Sequence, residues 1–149
     1  MKSHISPAAI LFASIGCLLV VACSSDDKSE PPATATGLTC SNANQCYVGL
    51  DAATVKGHVV CLTQLKDGYC THTCTSDADC CAVPGECKHG KEVCAPVQSA
   101  EGKYCVLSCE ASNLPAGTEA TAYCQQHANP NFTCRSTGGG SDNRKFCGP

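Results

Sequence analysis

Hydrophobic and polar positions divide the chain into stretches of different character. Residues 7–22 form a 16-residue run without a charged residue, preceded by Lys2 and His4 and ended at Cys23. A bilayer span needs about 20 apolar residues, so the run reads instead as the apolar region of an export signal covering 1–22. Beyond Cys23 the chain turns polar at once. Residues 24–39 carry Asp26, Asp27, Lys28, Glu30, Pro31 and Pro32 with almost nothing to bury, and residues 23–39 are expected to be an extended, mobile tether.

From Cys40 onward the apolar residues come in short β-prone runs. Residues 58–62 and 68–72 are expected to pair as a hairpin around Asp67-Gly68, and residues 92–95 and 103–107 as a second around Glu101-Gly102. The two hairpins open matching segments, VVCLTQLKDGYCTHTC and EVCAPVQSAEGKYCVLSC. Cys61 aligns with Cys94, Cys70 with Cys105 and Cys74 with Cys109, while Cys80/Cys81 and Cys87 are set against Cys124 and Cys134. The terminal FCGP echoes VCAP as the start of a third copy. This gives a duplicated module, 40–93 with a lead-in at Cys40 and Cys46, then 94–149. Tyr69 and Tyr104 precede equivalent cysteines and are expected in the local core. One short helix is expected at about 119–127, capped by Thr118 and closed by Asn129-Pro130. A single helical turn is expected at 51–56, and 136–144 (STGGGSDNR) as a mobile loop.

Composition explains how so irregular a chain could hold together. Sixteen of 149 residues are cysteine. After Cys23 there are only six Leu, eight Val, four Tyr and two Phe as large apolar side chains. That is too little to offset chain entropy alone, so covalent staples must substitute for core. The expected fold class is small and disulfide-rich: irregular tandem β-hairpin modules with little regular secondary structure and one short helix. Stable disulfides imply an oxidising compartment. From Cys23 onward nine Lys/Arg face 13 Asp/Glu, and no basic patch suggests nucleic acid as a partner.

Val20-Val21-Ala22-Cys23, at the end of the apolar run, resembles the lipobox of bacterial lipoproteins. The resemblance implies lipidation of Cys23, cleavage before it and a membrane partner reached through the lipid. Ser24 in the next position resembles the signal for release to the outer membrane, so the expected location is the bacterial cell envelope. With Cys17 and Cys23 set aside, the remaining Cys40, Cys46, Cys61, Cys70, Cys74, Cys80, Cys81, Cys87, Cys94, Cys105, Cys109, Cys124, Cys134 and Cys147 are even in number and permit seven disulfides. Cutting at the hairpin starts divides them two, six and six, with every bridge local. Residues 70–94 also resemble the inhibitor cystine knot, C-x3-C-x5-CC-x5-C-x6-C, which would instead close Cys70 to Cys94 within one segment. SDADCC is similar to tandem repeats in lipoproteins of Gram-negative soil bacteria, a likeness that implies secretion and no activity.

Candidate chemistry is sparse. Cys70, His72 and Cys74 cluster zinc-ligand types, but exported cysteines oxidise first, so neither metal nor cofactor is expected. No two cysteines are separated by two residues, which removes the usual redox and haem-attachment motifs. Cys80 and Cys81 are adjacent, and strain favours separate partners. Asp77 and Asp79 lack the rest of a calcium loop and read as a solvated turn. There is no nucleophile elbow or phosphate loop, and no catalytic residue is assigned. The sequence therefore points to a non-enzymatic binding or structural module with an unidentified protein partner. A protease inhibitor that offers Lys88 or Lys91 to an acidic pocket is the alternative, and a small envelope enzyme a third.

Overall fold

The computed structural model describes residues 36–98, 100–138 and 140–149. The expected signal, Cys23 and most of the expected tether lie outside these residues. Within them the protein is a small disulfide-rich fold of three two-stranded antiparallel sheets and one α-helix. No helix among the described residues is long and apolar enough to cross a membrane.

One unit recurs three times, each with a lead cysteine, a helical turn that presents a second cysteine, and a β-hairpin. The first unit has Cys40, a 3-10 turn at Ala43–Gln45, Cys46, and strands β1 (Val59–Cys61) and β2 (Cys70–His72). The second has Cys74, a turn at Asp77–Asp79, Cys80, β3 (Glu92–Pro96) and β4 (Lys103–Leu107). The third has Cys109, helix α1 (Ala120–His127) carrying Cys124, then β5 (Thr133–Ser136) and β6 (Lys145–Gly148). Polar side chains start the turns. Asn42 accepts the Asn44 N–H, the Ser76/Asp79 pair forms a capping box, and Glu119 accepts the Ala122 N–H. The α1 cap is thus Glu119, one residue past the expected Thr118.

Every hairpin sets two cysteines directly opposite each other: Cys61 and Cys70, Cys94 and Cys105, Cys134 and Cys147. None of these opposed pairs bonds to itself. The lead cysteine takes the first-strand partner, in Cys40–Cys61, Cys74–Cys94 and Cys109–Cys134. The turn cysteine takes the second-strand partner, in Cys46–Cys70, Cys80–Cys105 and Cys124–Cys147. Cys81–Cys87 is an addition peculiar to the second unit. Each repeated bridge closes 20 to 25 residues, enough to stabilise by about 3 kcal/mol in the chain-entropy model.

This pairing corrects the repeat expected from sequence. The supposed lead-in at Cys40 and Cys46 is the first half of a complete unit. Cys134 corresponds to Cys61 and Cys94, not to Cys87. FCGP does not open a further copy: Phe146-Cys147 matches Tyr69-Cys70 and Tyr104-Cys105 as the closing strand of the third hairpin. The match was hidden because Phe replaces Tyr and the third unit has longer loops. The two-six-six division gives way because each bridge runs forward from lead or turn to hairpin. The expected boundary between 93 and 94 falls inside β3, and two bridges cross it. The knot is not formed either, since Cys70 and Cys80 bond outside residues 70–94.

Each closing strand also serves the next unit. β2 runs on to Thr73, which bridges Tyr104, and the Cys74 N–H donates to Lys103 O. β4 likewise runs on to Ser108, which bridges Phe146, and the Cys109 N–H donates to Lys145 O. The Cys-x3-Cys spacing in Cys70–Cys74 and Cys105–Cys109 therefore spans the joint between units. Tyr69, Val93, Ala95, Val106, Leu107, Tyr123, Phe132 and Phe146 gather around these joints as the main core. Tyr69 stacks on Phe132 and accepts the Leu107 N–H, as expected of a core tyrosine. Tyr104 sits only half-buried at the edge of that core. The 51–56 stretch forms a β-turn closed by Thr54 N–H to Asp51 O, not a helical one. The stretch expected as a loop at 136–144 connects β5 to β6, with Ser136 itself in β5.

Candidate functional site: a buried histidine–glutamate cluster

Where the first unit meets the second, polar side chains replace apolar core. His72 ends β2, Glu86 lies in the loop closed by Cys81–Cys87, and Glu92 begins β3. All three are buried, at 0, 0 and 2% exposure, and Thr36 and Tyr47 of the first unit close over them. β2 is covered on both faces by its neighbours, so a polar residue there cannot turn to water.

Each side chain has one atom fixed by an outer partner. The His72 Nδ1–H donates to Lys56 O at 2.6 Å, Glu86 Oε2 accepts the Val83 N–H at 2.9 Å, and Glu92 Oε2 accepts the Thr36 hydroxyl at 2.7 Å. With its proton committed to Glu92, Thr36 accepts from the Tyr47 hydroxyl at 2.6 Å. Tyr47 itself holds a positive φ of 55°, an uncommon backbone state for an aromatic residue, and its ring meets His72 edge-on. Each member offers one ligand atom to the cluster, and these three lie within 4.8 Å of one another. His72 Nε2 and Glu86 Oε1 stand 2.6 Å apart, yet the contact lacks hydrogen-bond geometry and neither atom has another partner.

Burial, together with the nearby Glu86 carboxylate, pushes the Glu92 carboxyl well above the usual range against the opposing Thr36 hydrogen bond. Burial and Glu92 likewise push the Tyr47 phenol up. The cluster is sealed from solvent, so it can hold a proton or a small ion but cannot admit an organic substrate. Comparisons of the chain with protein-family models, curated proteins and solved structures found no match.

The sequence candidates fall differently. All 14 cysteines from Cys40 onward are in disulfides, so Cys70 and Cys74 cannot ligate zinc beside His72. Cys80 and Cys81 take separate partners, as strain requires. Asp79 accepts from the Thr75 hydroxyl and from the Thr75 and Ser76 N–H groups, which lowers its carboxyl to about 2. Asp77 instead bonds outside its own turn. It accepts the Cys94 N–H and pairs with Arg144, which also forks onto Glu110 at 2.7 and 3.0 Å. Lys88 and Lys91 are exposed, but the knot that would have framed an inhibitory loop around them is absent. Glu86 and Glu92 were missed because no local motif links them to His72. The only available signal was two glutamates inside otherwise compact Cys-rich segments.

Proposed function

We propose that this chain is an exported, lipid-anchored, non-enzymatic binding or structural module of a bacterial envelope. The observation that carries the reading is the complete pairing of the cysteines from Cys40 onward. It supports an oxidising compartment and leaves Cys23, at the end of a lipobox-like Val20-Val21-Ala22-Cys23, for the lipid. Multiple acyl chains would hold it firmly where one is marginal. Three stapled units present short loops whose order costs little on binding, which suits protein recognition or a spacer role.

The test is expression of the full chain in a Gram-negative host. Wild type should enter the detergent phase and carry a diacylglyceryl mass on Cys23, whereas Cys23→Ala should stay aqueous. An unmodified Cys23 on the purified mature protein would overturn the anchored reading.

A further inference from the structure

We propose that His72, Glu86 and Glu92 form a buried site for one divalent transition-metal ion, with Zn2+ the best chemical match, and that the ion locks the first unit to the second. The three come from β2, the Cys81–Cys87 loop and β3, so an ion among them would tie elements of both units. One ring nitrogen of His72 and one carboxylate oxygen each of Glu86 and Glu92 lie within 4.8 Å of one another.

The surroundings resemble the outer shell of a metal site. A ligating histidine normally gives its other N–H to a carbonyl or carboxylate, and ligating carboxylates are themselves hydrogen-bonded. Here Lys56 O, the Val83 N–H and the Thr36 hydroxyl supply those partners. The Nδ1–H bond to Lys56 leaves Nε2 with its lone pair directed inward in the neutral ring.

The second observation is the unpartnered pair. Nε2 and Oε1 are fully buried and 2.6 Å apart, but not aligned for a hydrogen bond. Two lone-pair atoms that close need positive charge between or beside them. A bridging proton must sit near the line joining them, whereas an ion can sit off that line where three donors converge. Buried carboxylates also need compensation, and a divalent cation neutralises two at once. Imidazole with two carboxylates suits Zn2+ better than Ca2+ or Mg2+, which prefer all-oxygen shells, or Cu+, which prefers sulfur. Bonds of about 2.0–2.2 Å at tetrahedral angles put neighbouring donors about 3.4 Å apart. Loading therefore parts His72 from Glu86 by roughly 0.8 Å, a small side-chain adjustment.

The alternative is a cluster held by protons alone, with Glu92 protonated. Glu92→Gln separates the two, because the amide copies the protonated acid in size but is a poor ligand. The oxidised full chain, expressed with zinc supplementation and shown to have no free thiol, is assayed for bound metal by mass spectrometry. About one Zn2+ per chain is expected, with a loss of roughly tenfold or more in Glu92→Gln and a lowered thermal midpoint. Co2+ supplied in place of Zn2+ should give visible d–d absorption that the variant lacks. Metal-free wild type, or a Glu92→Gln variant equally or more stable with unchanged metal content, would overturn the proposal in favour of the proton-held cluster. Either result leaves lipid anchoring at Cys23 unaffected.

Discussion

At the residue scale, close backbone approach decides which small residues are irreplaceable. Gly68 has φ +70°, and a Cβ there would lie 1.9 Å from the Cys40 carbonyl oxygen, next to the first bridge. Gly102 also has positive φ, but a Cβ would meet nothing within 4 Å. Gly102→Ala should therefore cost only the left-handed backbone penalty, about 1 kcal/mol, while Gly68→Ala should cost roughly 3 kcal/mol because the backbone must move. Urea titration of the oxidised proteins measures the difference, and equal midpoints would contradict the packing at Cys40. Arg144 makes a second residue-scale case. Its fork to Glu110 and contact with Asp77 connect the last hairpin to the turn of the second unit and the lead of the third. The Arg144 hydrogen bonds hold the Glu110 carboxyl below its ordinary range. A depressed carboxylate stabilises the fold above the unfolded value near 4.5, and that contribution disappears as pH falls through the folded value. Arg144→Met should cost about 0.5–1 kcal/mol at neutral pH and flatten the acid limb of the stability profile below about 4.5. An unchanged acid limb would show that Glu110 titrates without Arg144.

At the element scale, helix α1 rests on the loop before β3. The Tyr123 hydroxyl donates to His89 O, and the His89 and His127 rings lie tilted with their centroids 6.2 Å apart. Partial burial, then the neighbouring charges of His127 and Lys88, pull the His89 imidazole below its ordinary value. A base with a depressed folded value favours the neutral form, so its contribution is full above about pH 6.5 and is lost as pH falls towards the folded value. Amide exchange in α1 should accelerate over that interval, and His127→Gln should weaken the acceleration by removing the second positive ring. The expected order of hairpins was legible because Asp67-Gly68 and Glu101-Gly102 sit between β-prone runs. The third hairpin was not, because Ser136–Arg144 reads locally as an unstructured loop and only the Cys134–Cys147 register reveals the pair.

At the scale of the whole molecule, three units succeed one another, with the closing strand of one extended to pair with the closing strand of the next and no disulfide across either joint. Cuts at two places should therefore behave oppositely. A protease site between Lys88 and Lys91 should leave the halves joined until reductant is added, because Cys74–Cys94 and Cys80–Cys105 span it. Cyanogen bromide acting on unreduced, denatured Leu107→Met should instead release 108–149 directly, since only the main chain connects Cys105 to Cys109. The native chain has one methionine, Met1, so the cleavage is unambiguous. A fragment that remains attached before reduction would expose a bridge between the second and third units.

The sequence by itself determined that disulfides would replace core, that every cysteine after Cys23 would be needed, and that short hairpins would carry the Tyr-Cys pairs. These follow from composition and local chain stiffness, which every residue carries with it. Pairing was decided only in three dimensions. Closure entropy grows with the logarithm of loop length, so alternative local pairings differ by less than about 1 kcal/mol and do not select themselves. The hairpin register selects them, by presenting two opposed cysteines to a lead and a turn brought over it by the previous strand. The His72–Glu86–Glu92 cluster has the same origin. Its members are unremarkable where they stand in sequence, and become a buried, convergent set only when the closing strand of the first unit, extended to Thr73, pairs with the closing strand of the second.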